Sequence, residues 1–160
     1  MSFQIHALPA DLFEPLFSMP DWELAKVPAS KMLVDSKPGY PCRVSLADAE
    51  VGETVVLVNY MHQAAETPYQ ATHAIYIREN AEQVFPAAGT VPAALASRLI
   101  SVRAFDNRHL MIDADVVDGS LLSESIPAML ENPEAAYLHL HNAKQGCFAA
   151  RVTRAPRNPN

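Results

Sequence analysis

Thirteen prolines punctuate this chain of 160 residues, and no apolar segment between them reads as a long helix. The apolar residues fall instead into short runs bounded by turn signals. Residues 53–61 (ETVVLVNYM) form the strongest strand pattern, rich in β-branched side chains. Residues 3–8, 72–78, 98–106, 109–117, 135–142 and 147–154 read as further strands, and residues 42–46 as an extended segment after the KPGYP turn at 37–41. Segment 31–34 reads as either a strand or an extended lead-in. Leu12, Phe13, Leu16 and Phe17 at helical spacing predict a helix over 9–19, which Pro15 limits to about two turns. A second helix is predicted over 121–131, with Leu121, Leu122, Ile126, Met129 and Leu130 on one face, Ser120 or Ser123 as N-cap and Asn132-Pro133 as the stop. Residues 79–84 and 92–96 read as helical turns. Strands 98–106 and 109–117 pair over a two-residue Asn107-Arg108 turn, and 135–142 pairs with 147–154.

Strands in hairpin-like pairs, without long helices between them, place the chain in the α+β class. The expectation is a single domain over 1–154, a mainly antiparallel sheet of about six strands, two or three short helices, and a frayed tail at 155–160.

Composition excludes several function classes. With 49% apolar and 19% charged residues the chain can bury a core and is not intrinsically disordered. A net charge of −6 argues against a nucleic-acid groove and against binding to an anionic membrane surface. The five glycines are scattered, so no P-loop or dinucleotide-binding loop is present. Cys42 and Cys147 form no CxxC pair and cannot make a zinc site by themselves; they read as reduced thiols. The opening MSFQIHALPADLF lacks a secretory signal, and the longest aliphatic run, 55–58, is far short of the ~20 residues of a membrane helix. A soluble, cytoplasmic protein is expected.

Polar residues set into apolar strands are the candidates for chemistry. In YLHLHN, strand alternation puts Tyr137, His139 and His141 on one face and Leu138 and Leu140 on the other. His139 and His141 are candidate metal ligands, with His73, His109, Asp113 or Cys147 as a third. Ala143 stands where a histidine-triad hydrolase needs its third histidine, and no glutamate follows as a cupin site would require. The competing reading is a solvated or hydrogen-bonded strand face. His73 shares a face with Ile75 and Ile77, the setting of a core histidine. Arg43, Arg103 and Arg151 interrupt apolar stretches. A guanidinium is costly to bury without a partner, so each should reach solvent, a carboxylate or an anionic ligand. Asp106, Asp113 and Asp115 are the internal carboxylates at hand. A Cys–His nucleophile would use Cys147 or Cys42 with His139, His141 or His73, and Cys147, next to a turn, is the better candidate.

The stretch PGYPCRVSLADAEVGETVVLVNY at 38–60, Pro68-Tyr69, VRAFD at 102–106 and YLHLHNAKQGCFAARVTR at 137–154 resemble a bacterial uncharacterised family, domain of unknown function 1203. The resemblance extends over about 38–154 and implies a single-domain bacterial protein without an assigned activity. The THA at 72–74 departs from the glycine–proline strand start associated with that family.

Three functions compete. The first is a small domain binding an anionic ligand in a cleft of Arg43, Tyr69, Arg103, His139, His141 and Arg151. The second is an enzyme, either a metal-assisted hydrolase on His139 and His141 or a thiol enzyme on Cys147. The third is a homodimeric interaction module using a sheet edge or the Phe13, Phe17 and Trp22 cluster, without a small ligand.

Overall fold

A computed structural model describes residues 2–157. In chain order the elements are β1 (Phe3–His6), α1 (Asp21–Leu24), β2 (Ala29–Leu33), β3 (Thr54–Gln63), β4 (Ala71–Arg78), α2 (Ala93–Ala96), β5 (Leu99–Phe105), β6 (Met111–Asp118), α3 (Leu122–Leu130), β7 (Tyr137–Asn142) and β8 (Phe148–Arg154). Three 3₁₀ turns complete them, at Ala10–Leu12, Glu14–Ser18 and Gly119–Leu121. The eight strands form two sheets, β1-β8-β7-β5-β6 and β2-β3-β4, and every pairing within them is antiparallel. The α+β class is therefore confirmed. No helix among the described residues is long and apolar enough to cross a membrane.

The chain divides into two compact units that interleave along the sequence. The first comprises Met1–His6, Ala65–Gln70 and Phe85–Asn160; the second comprises Ala7–Ala64 and Ala71–Val84.

The five-stranded sheet belongs to the first unit and has two unlike faces. Phe3, Ile5, Val152, Ala150, Leu138, Leu140, Ala104, Val102 and Ile100 are buried and point to one side. On that side lies α3, whose Leu122, Ile126 and Leu130 recur at helical spacing and are fully buried. The expected helix at 121–131 is thus present, one residue shorter at each end. Its lead-in differs: Asp118, and neither serine, accepts the Ser120 N–H at 2.9 Å and caps the 3₁₀ turn before it. The C-terminal end is closed by Arg154. Its guanidinium donates to the carbonyls of Leu130 (2.6 Å), Asn132 (3.0 Å) and Ala135 (2.6 Å). Leu130 is the last residue of α3, where a helix leaves carbonyls unsatisfied, and a cation there also complements the helix dipole.

In the second unit the three-stranded sheet packs Val56, Val58, Ile75 and Ile77 against Phe13, Leu16, Leu24, Cys42 and Val44. The predicted helix over 9–19 is two successive 3₁₀ turns instead, with Pro15 at the start of the second. Proline lacks the N–H that a continuous α-helix would use there. Residues 42–46 are likewise no strand: Pro41 and Cys42 make single bridges to Asp48 and Tyr76, and the chain then turns, with Leu46 at φ 51°. The 79–84 segment also turns without a helix, through Asn80 at φ 57°.

Of the expected tail, Ala155 is tied back by its N–H to the Ser2 carbonyl at 3.0 Å, and residues 158–160 lie outside the described residues.

Candidate functional site

Residues directly opposite each other on paired strands share a face. In the first unit the register sets His6 of β1 opposite Arg151 of β8, Arg151 opposite His139 of β7, His139 opposite Arg103 of β5, and Arg103 opposite Ala114 of β6. Three of the six residues expected to bind a ligand therefore stand in one transverse row, on the face away from α3. Asp113 and Asp115 cannot serve that row. They alternate onto the other face of β6, opposite Ala104 and Val102. Among the described residues no carboxylate pairs with Arg103 or Arg151.

Arg103 is half-buried, and its Nε–H donates to Ser101 Oγ at 3.1 Å. Burial holds its pKa below the usual guanidinium value. Arg151 is exposed and lies over the ring of Tyr137, 4.6 Å from its centroid. His6 is pushed below its ordinary value of 6.5, first by partial burial and then by the Arg151 charge.

Around the row the side chains are aromatic. Phe105 stacks on Tyr137 at 5.4 Å and 9°, from the strand opposite Arg151, so the phenol ring is sandwiched between an aromatic ring and a guanidinium. The His139 ring lies within 5.0–5.3 Å of Phe105, Tyr137 and Phe148. Of the competing expectation, a solvated or hydrogen-bonded strand face, the solvated form does not hold: His139 is 3% and His141 0% exposed. His141 Nδ1 is 2.9 Å from the Gly146 carbonyl, which can only accept. Nδ1 therefore carries a proton and donates to that carbonyl. The His139 and His141 rings are 6.3 Å apart.

Tyr137 and His109 are joined by a 2.7 Å hydrogen bond between Oη and Nδ1. His109, a candidate third metal ligand from its sequence, has this phenol as a partner. It occupies a φ of 63°, uncommon for a residue with a side chain. Asp106 sets that conformation, because its Oδ1 accepts the N–H of Arg108 at 2.8 Å and of Leu110 at 3.0 Å. Those bonds, led by the one from Leu110, hold the Asp106 carboxyl below the usual carboxylate range. The expected two-residue Asn107-Arg108 turn is therefore a longer loop folded about an aspartate, with a bulge in the ladder at Ala104/Phe105. Thr67 Oγ1 donates to the His109 carbonyl at 3.4 Å, and the half-exposed Tyr69 meets Phe105 edge-on at 6.1 Å. Tyr69 thus reaches the same cluster through Phe105. Tyr137, Phe105 and Phe148 had been given no role from sequence; only the alternation with His139 could have flagged Tyr137.

Cys147 is half-buried at the β7–β8 turn, with the Asn142 Nδ2 3.6 Å from its sulfur. Asn142 points to the α3 side of the sheet, opposite Ile100. Arg43 belongs to the second unit and is buried, its guanidinium donating to the Pro41 carbonyl. His73, also in the second unit, shares the face of Ile75 and Ile77 as expected, but its ring partner is His62, which sequence spacing did not single out.

Fold and site together define a small α+β protein whose chemistry-bearing side chains stand on a sheet face, not in a glycine-rich loop or a cysteine cluster. The chain belongs to the family described as Protein of unknown function (DUF1203), whose model matches residues 39–154. That span contains every residue of the transverse row except His6. No curated protein and no solved structure matches the chain.

Proposed function

We propose that the protein binds a small anionic molecule, a carboxylate or phosphate compound, on the Arg103–His139–Arg151 row. The support is Arg103: a half-buried guanidinium, depressed by burial, with no carboxylate in its row. A guanidinium in that setting retains unused, rigidly spaced donors suited to a planar or tetrahedral oxyanion. Arg151 supplies a second positive charge, two strands away and open to solvent. His139 stands between them in register and adds a hydrogen-bonding ring nitrogen. The aromatic walls of Phe105, Tyr137 and Tyr69 would lower the local dielectric and strengthen the charge contacts.

Titration calorimetry with inorganic phosphate and with small mono- and dicarboxylates tests this. The expected result is saturable binding of at least one of them, weakened roughly ten- to hundredfold in Arg103→Ala, since a hydrogen bond to a charged group contributes about 1.5–3 kcal/mol. Absence of binding for every anion, or equal affinity in Arg103→Ala, would contradict it.

A further inference from the structure

The second unit carries a pair of histidines that anion binding does not use. His62, near the end of β3, and His73, on β4, bring Nε2 and Nδ1 to 2.9 Å, with their rings nearly parallel at 15° and their centroids 5.0 Å apart. Both are half-buried. The strand ladder makes the pair. Tyr60 pairs with His73 and Gln63 with Ala71, so β3 sets Met61 and His62 against Thr72 alone. This bulge falls at the histidine, as bulges that re-aim a side chain do.

We infer that His62 and His73 form a site for a divalent first-row transition ion. Two nitrogens each about 2.0–2.1 Å from one metal, and 2.9 Å from each other, subtend close to 90° at it. That is the angle between neighbouring ligands in the tetragonal sites of copper(II) and nickel(II). A tetrahedral zinc site needs the nitrogens only ~0.4 Å further apart. Imidazole suits all three ions, and copper(II) binds tightest in the general affinity order. Binding replaces the hydrogen between the rings with the metal. The ring that carried it takes its proton on the other nitrogen, so a neutral pair releases no proton. The pair supplies two of the ligands that such an ion takes.

The test uses tag-free, full-length protein stripped with a chelator and titrated with copper(II) or zinc(II) alone, followed by native mass spectrometry. One equivalent of metal is expected, with affinity falling at least tenfold in His62→Gln and in His73→Ala. Electron paramagnetic resonance of the copper(II)-loaded wild type is the measurement that depends on no variant. Nitrogen hyperfine structure from two imidazoles is expected. No metal uptake, a copper spectrum without that structure, or uptake unchanged by both substitutions would overturn the inference.

Discussion

Arg103 and Arg154 are the same residue in opposite circumstances. Arg154 spends its donors on three carbonyls around the end of α3. Arg103 donates to one serine hydroxyl in a half-buried position. The first holds the fold, and the second is the one we propose to hold a ligand. Sequence spacing singled out Arg103 and Arg151 because each interrupts an apolar strand. It passed over Arg154, whose carbonyl partners lie some twenty positions earlier and leave no local pattern. Gly119 is a sharper case of a residue fixed by distant backbone. A Cβ placed there would come within 2.0 Å of the Leu95 carbonyl oxygen and 2.5 Å of that of Arg98, while its own N–H donates to Arg98 at 2.7 Å. Gly119→Ala is expected to cost about 3 kcal/mol or more, because the obstacle is backbone that cannot rotate away. Chemical denaturation measures this; a loss under ~1 kcal/mol would mean that the α2–β5 connection yields.

Among the elements, β6 shows how a sheet edge is protected. It is the outer strand of the five-stranded sheet and is largely exposed. Outward N–H groups on such a strand invite another strand to pair. Here the Asp113 carboxylate accepts the Ala114 N–H at 2.9 Å, and the Asp115 carboxylate accepts the Val116 N–H at 2.8 Å. Two alternate donors are occupied by acidic side chains of the same strand. Replacing both aspartates by alanine should free these donors, remove two negative charges and promote pairing between copies through β6. Sedimentation velocity should then detect a larger species in the double variant than in wild type. Identical sedimentation at equal concentration would show that the carboxylates do not guard the edge. The sequence marked Asp106, Asp113 and Asp115 as internal carboxylates at hand for the arginines. It could not show that two of them bind neighbouring amides, which depends on rotamers. Nor did it expose the Asp106 loop, where a side chain replaces the turn chemistry that Asn-Arg lacks.

For the whole molecule, hairpin-like pairs of β-rich segments made the antiparallel α+β class legible. They did not reveal two sheets, because local periodicity fixes a strand's faces and its hairpin partner but not its distant one. The pairing of β1 with β8 joins nearly opposite ends of the chain, and it is this pairing that brings His6 beside Arg151. The transverse row was invisible for the same reason: it depends on four strands being in register. With a net charge of −6, long-range attraction will not concentrate an anion, so the proposed affinity rests on the few groups of the row. The most direct measurement is the set of arginine side-chain Nε–Hε resonances during titration with inorganic phosphate and a small dicarboxylate. Arg103 and Arg151 should shift together and saturably for at least one anion, while Arg154, bound to its three carbonyls, stays in place. Uniform small shifts of all arginines, or movement of Arg154 without Arg103, would contradict a binding site on this face.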